Sequence, residues 1–278
     1  MTTPPLDETP AENPSPAPPT RATKSARRWV QISVRGVLLL MIAICLWLGV
    51  AVPRARDQAK RVEAVLKTGG YVFYDYELDP ASTNVPLLHV RFQGEPAVSP
   101  WPAWLVQGWG RDFFHQVKGV TLNGDGVTLN GEGVTLNGEW ISDDVVAQAL
   151  GIRGLERLEL GSYPIFFTGG PFRGESLSPK AFAGLDEAKS ITHITVTLMT
   201  LGEESYKQIA AVPTLTFLSL TEADLNDAGL RLLEAAPNLR ELHLHETDVT
   251  KAGLEHFRAA RPQCVVQFSD NFYLRVMM

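Results

Sequence analysis

Apolar pairs one residue apart recur along the C-terminal half of the chain at Val134/Leu136, Leu158/Leu160, Ile194/Val196, Leu218/Leu220 and Leu242/Leu244, spaced 24, 36, 24 and 24 residues. Such alternation buries one face of a short strand. A second ladder runs beside it. Ser142, Ser178, Gly202, Asn226 and Thr250, all residue types that open helices, are spaced 36, 24, 24 and 24. Four residues beyond each stands Val146, Phe182, Tyr206, Leu230 or Leu254, one buried helical position per unit. A unit of one strand and one helix, eight residues from pair to cap, cannot bury its apolar face alone. Stacked units share a core, so the spacing predicts a solenoid with a parallel sheet.

The exceptional 36-residue step can be located. Leu158 and Ser178 are 20 residues apart, twelve more than the regular interval, so an insertion falls between strand and helix. It is expected as a loop at 161–176, where Gly161, Gly169, Gly170, Pro171 and Gly174 cluster. A different irregularity precedes the ladder. GVTLNGD, GVTLNGE and GVTLNGE run consecutively from Gly119 to Glu139. Seven residues are too few for a strand–helix unit. Counting back 24 from Leu158 selects the third copy as the first solenoid strand, with 119–132 as a duplicated insertion of hairpin strands turned at Asn-Gly. The glycine-rich nonapeptide pattern for calcium is absent around Asn123 and Asp125, which argues against a metal loop.

Residues 218–257 carry two successive units, with L-x-x-L-x-L strands and a repeated A-G-L at each helix start (Ala228-Gly229-Leu230 and Ala252-Gly253-Leu254). This stretch resembles the bacterial leucine-rich repeat proteins and their cysteine-containing, ribonuclease-inhibitor-like subfamily. The wider plan, an anchor followed by YVFYDYEL and then repeats, looks like small membrane-tethered repeat proteins of bacteria. The expected fold class is therefore α/β: a leucine-rich repeat solenoid of about five strand–helix units over 133–278, its parallel sheet on the concave face, with an N-terminal cap and one transmembrane helix. Such a resemblance implies a fold and leaves function open.

Residues 36–53 contain no charge, amide or hydroxyl side chain. Eighteen residues at helical rise span about 27 Å, near the thickness of a bilayer core. Trp29 and Trp47 lie toward the ends, flanked by Arg27, Arg28, Arg35, Arg54 and Arg56. A transmembrane helix is expected at 29–53, following a proline-rich disordered tail at 1–28. A basic juxtamembrane helix at 54–69, ended by Gly69-Gly70, follows it. A cleaved signal peptide, with Gly49 and Ala51 as the small residues, is the rival reading. The length of the apolar run and the 35 residues before it favour an uncleaved anchor. The flanking charges tie. The short tail and long following domain favour a cytoplasmic N-terminus with the repeats outside.

Residues 70–118 are expected to cap the solenoid, with strands at YVFYDYEL (71–78) and LLHVRF (87–92). Trp101, Trp104 and Trp109 could form a ligand platform; sealing the open end of the core is the expected role. No phosphate-cradling loop with its lysine, G-x-S-x-G elbow or H-E-x-x-H is present, so the chain reads as non-enzymatic, without cofactor or metal. The residues from Gly133 onward hold nineteen acids and twelve bases, which argues against nucleic acid. His243 and His245 form an H-x-H pair able to chelate a transition metal, but spacing supplies no third histidine beside them. On the concave face strand alternation places Arg157, Glu159, His193, Thr195, Phe217, Ser219, Glu241, His243 and His245. This mixture of charge, hydroxyl and aromatic groups suits a protein or peptide partner, with the bilayer as a second partner through 36–53. A spacer protein of the envelope without specific ligand, or an adaptor like the repeats of ubiquitin ligases, are the alternatives.

Overall fold

The structure is a computed structural model that describes residues 34–78, 87, 97–122, 127–130, 133–136, 141–161 and 175–269. The expected tail at 1–28, the strand at 87–92 apart from Leu87, and most of the loop at 161–176 lie outside them. Leu87 itself is helical. The chain forms two compact units, Met1–Leu46 and Trp47–Met278.

Helix α1 runs Val34–Lys67 and carries Pro53 within it, so the expected membrane and juxtamembrane helices are one element. It is long and apolar enough to cross a membrane, and none of its apolar stretch is buried. Then follow β1 (Tyr71–Tyr74), helices α2 (Ala103–Trp109) and α3 (Arg111–Phe114), and strands β2 (Val117–Leu122), β3 (Val127–Asn130) and β4 (Gly133–Leu136). The remainder alternates: α4 (Asp143–Leu150), β5 (Arg157–Gly161), β6 (Glu175–Ser176), β7 (His193–Thr197), β8 (Met199–Thr200), α5 (Gly202–Ala210), β9 (Phe217–Thr221), α6 (Asp227–Leu233), β10 (Glu241–His245), α7 (Lys251–Ala260) and β11 (Val265–Ser269). Where a helix was expected after Ser178, two short 3₁₀ turns, Pro179–Phe182 and Leu185–Glu187, do the packing.

The fold is α/β around a seven-stranded, mostly parallel sheet in the order β1-β2-β5-β7-β9-β10-β11. Only β1 is antiparallel, against β2. Equivalent positions align without slip from β5 to β11: Leu158, Ile194, Leu218, Leu242 and Val266 form one row. On one face the paired Leu, Ile and Val side chains from β2 to β10 are at most 1% exposed. They share one core with Val146, Phe182, Tyr206, Leu230 and Leu254, the helical positions that the spacing selected.

The 24-residue interval also appears in the backbone. Leu198, Glu222 and Glu246, one after each of three successive strands, adopt left-handed conformations with φ between 50 and 56°. Helix starts are coupled between units. Asp227, the first residue of α6, accepts from the backbone N–H (2.8 Å) and hydroxyl (2.7 Å) of Thr250, whose oxygen in turn caps Gly253 N–H at the start of α7. Asp143 does the same for the N–H and hydroxyl of Ser178. A Cβ on Gly253 would collide with the Asp227 carboxylate, and one on Gly229, the glycine of the preceding A-G-L, would come 2.9 Å from Leu225 Cδ1. One cap departs from expectation: Leu201, not Gly202, precedes α5, and Asp224 receives the N–H groups of both.

Two further expectations are corrected. The sheet takes the first heptad copy, not the third. Val120 and Leu122 pair with Leu158 and Leu160, whereas the second and third copies pair with each other as the separate hairpin β3–β4. The reason lies in what precedes each copy. Val117 is fully buried and Lys118 Nζ lies 2.5 Å from Glu156 Oε1, while copies two and three are preceded by Gly-Asp and Gly-Glu. Burying a valine side chain contributes about 1.5–3 kcal/mol, enough to select between otherwise equivalent strands. Secondly, the tryptophans do not seal a core. No residue of α2 is buried, and Trp101, Trp104 and Trp109 are 47, 71 and 54% exposed.

Candidate functional site

Strand alternation turns two in-register rows away from the core. The first is Arg157, His193, Phe217, Glu241 and Val265; the second is Glu159, Thr195, Ser219, His243 and Gln267. His245 extends a third row with Thr197, Thr221 and Ser269. All nine residues expected on this face therefore lie on it, although not all are accessible.

Glu159 is the clearest correction. It is 4% exposed, accepts the Leu87 N–H at 2.6 Å and the Thr121 hydroxyl at 3.3 Å, and holds the chain's own cap against β2 and β5. Leu87 is fully buried above Gly119, where a Cβ would be 2.9 Å from its Cδ1. The N-terminal end of the face is thus occupied internally. Sequence reasoning missed this because a single leucine in a presumed strand gives no sign of lying over a neighbouring sheet.

Phe217 lies on this face but is only 8% exposed. Its ring stacks on His193 (centroids 5.3 Å, 27°) and meets the edge of His243 (4.9 Å, 68°). His243 Nε2 lies 2.7 Å from Glu241 Oε1, so the carboxylate accepts the Nε2–H hydrogen bond and orients the ring. His245 stands 6.2 Å beyond, nearly perpendicular. His193 Nδ1 is 2.8 Å from the Thr192 hydroxyl. Burial, reinforced by Arg157, pulls the His193 pKa down to about 4, so this imidazole is neutral at pH 7. The result is a ladder of four rings crossing β7, β9 and β10, bordered by half-buried Arg157, Thr195, Ser219 and Glu241. Ring faces and fixed donors and acceptors in this arrangement suit an extended polypeptide. Among the described residues, no group of three or more His, Cys, Asp or Glu side chains is placed to hold a metal ion.

A second polar cluster was not read from the sequence. His115, 4% exposed, places Nδ1 3.0 Å from Asp75 Oδ1 and Nε2 2.8 Å from Ser99 Oγ. The order Asp, His, Ser is that of a hydrolytic triad. Here Ser99 Oγ also accepts the Trp101 N–H at 3.2 Å, and the Tyr76 ring lies 4.4 Å from the imidazole. Those contacts suit a clamp joining the end of β1 to the chain leading into α2. Close by, a cleft of about 400 Å³ is lined by Trp47, Arg54, Gln58, Arg61, Asp112, Phe113, His115 and Arg153. Gln58 Nε2 donates to Asp112 Oδ1 and to the His115 carbonyl, both at 3.0 Å. These residues are 54 and 57 positions apart in sequence, and no spacing rule would have joined them.

No known protein-family model matches the chain, and a search of curated proteins finds no match.

Proposed function

We propose that the chain is a membrane-anchored leucine-rich repeat solenoid, non-enzymatic, that binds a protein or peptide on the polar face of its parallel sheet, chiefly across β7, β9 and β10. The observation that carries this reading is the in-register ladder His193–Phe217–His243 on the face opposite the core. Parallel sheets are ordinarily buried on both faces, so a polar, half-buried face is unusual and points to a surface kept for recognition. The repeat assignment draws on the 24-residue recurrence of strand pairs, left-handed corners and helix caps. Helix α1 would cross the bilayer, with the N-terminal tail on the cytoplasmic side and the repeats outside.

A cross-linked pulldown from intact membranes tests the reading. Ser219→Arg with His243→Ala should abolish capture of a specific partner while leaving the circular-dichroism spectrum unchanged. Capture that survives both changes, or that follows the 161–176 loop, would place the site elsewhere. The mutual stacking of His193, Phe217 and His243 also suits a spacer whose face satisfies itself; a pulldown that recovers nothing specific would favour that role.

A further inference from the structure

We propose that residues 97–110 lie in the bilayer interface, with Trp101, Trp104 and Trp109 at the boundary between headgroups and acyl chains. This goes beyond the binding role and rests on the membrane-anchor reading. The fourteen residues from Ala97 to Gly110 include no charge. Val98 is 87% exposed, and together with Trp47 the three tryptophans are the largest apolar side chains left open among the described residues of this unit. An uncharged, aromatic surface of this kind is costly in water and is normally covered.

The structure indicates what covers it. Trp47 belongs to the apolar run of α1 and meets Phe113 edge-on at 5.7 Å. Phe113 packs on Trp109 at 5.0 Å, and Trp101 packs on Phe114 at 5.2 Å. The tryptophan segment is therefore joined to the very stretch expected to enter the membrane. Trp47 stands seven residues before Arg54, the first charge after the run, which at helical rise is about 10 Å. With Arg54 among the headgroups, Trp47 and its neighbours lie at the upper edge of the hydrocarbon. Tryptophan is suited to that depth because its ring is apolar and its N–H finds polar partners. The polar side agrees. Arg54 and Arg153 line the adjacent cleft, where lipid phosphates would meet them, beside Arg61, which is paired with Asp57 at 3.3 Å. The Asp75–His115–Ser99 clamp and the Gln58–Asp112 bond hold the segment against α1, so it is presented as a fixed element.

The test uses the full chain reconstituted in vesicles of phosphatidylcholine and phosphatidylglycerol, with single-tryptophan variants that keep Trp104 or Trp47 and carry phenylalanine at the other five positions. Trp104 should emit at shortened wavelength, lose most of its intensity to lipids brominated near the headgroup, and resist aqueous acrylamide. Should the five replacements disturb the fold, difference quenching between the native chain and Trp104→Phe reads the same quantity. Trp47 quenched by bromolipid while Trp104 responds only to acrylamide would overturn the proposal and leave the anchor intact. Protection of Trp104 from both quenchers that disappears on dilution into excess lipid would assign the surface to a second copy, and the proposal would fall. If Trp47 is also untouched by lipid, the anchor reading fails and this inference fails with it.

Discussion

Deleting Gly126–Glu139 should leave the domain folded and slightly more stable. The deletion removes the second and third heptads, whose strands β3 and β4 pair only with each other in the described sheets. A lone two-stranded hairpin is marginal in water, so its loss costs roughly 0–1 kcal/mol. Against this, the chain between Leu122 and Ile141 shortens from 18 residues to four. The loop-closure term (3/2)RT ln(18/4) then gives about 1.3 kcal/mol in favour of folding. The interval from Val120 to the helix cap becomes eight residues, as in the regular units. The net change lies between about +0.3 and +1.3 kcal/mol, a rise in Tm of at most about 5 °C for a domain of this size. Thermal unfolding of the full chain in detergent, followed by far-ultraviolet circular dichroism, reads it. Two point variants sharpen the test. Leu122→Asp puts a charge into a position 1% exposed and should unfold the first unit, at several kcal/mol, whereas Leu136→Asp should change Tm by no more than a few degrees. Loss of folding on deletion, or the reverse order of the two leucine variants, would mean that the third copy supplies the sheet strand.

Acid should weaken the domain through His193: its folded pKa of about 4 lies below the ordinary histidine value of 6.5, so the unfolded state binds the proton more readily. The contribution is present above pH 6.5 and is lost as pH falls toward 4. Discounted for partial solvent exposure, it amounts to about 1–2 kcal/mol, and denaturant titrations at pH 7.5 and 4.5 should show a smaller loss for His193→Gln than for the native chain. Gly161→Ala should destabilise by several kcal/mol, because its φ is +109° and a Cβ would fall inside the Thr197 carbonyl of the neighbouring strand; a melt unchanged from native would refute that close approach. Fluorophosphonate probes should not label Ser99, and His115→Phe should lower Tm while His115→Gln retains more stability; stoichiometric labelling would make the cluster an active site. Alkaline carbonate should leave the protein in the membrane fraction with its N-terminus intact, and a soluble form beginning near Val52 would identify a cleaved signal.

The strands, the buried helical positions and three of the side-chain caps were legible because each depends on residues within one 24-residue unit. Leu218, Leu220, Asn226 and Leu230 announce their places through local spacing, and the sheet adds only their alignment. The misassigned heptad shows where that logic ends. Three near-identical copies contain the same information, and the choice among them rests on Val117 and Lys118 meeting the core and Glu156, outside the repeated sequence. The candidate face was legible in membership and illegible in exposure. Alternation assigned Glu159 and Phe217 to it correctly, but their burial depends on Leu87, 72 residues from Glu159, and on rings from the neighbouring units. The tryptophan segment was misread for a simpler reason: composition says that tryptophan is costly in water without saying whether protein or lipid covers it.

The two extra stretches of chain, after β2 and after β5, leave the sheet at the same place in successive units. Leu122 and Leu160 are directly paired ends of parallel neighbours, so both stretches start from the same rim. Additions there leave the hydrogen-bond ladder in register, with Leu158 still opposite Ile194. An odd-numbered insertion within a strand would instead turn the later side chains of that strand to the opposite face. Change in length is therefore accommodated along this edge of the sheet. That edge is where descendants of the chain could acquire new contacts while inheriting the sheet unaltered.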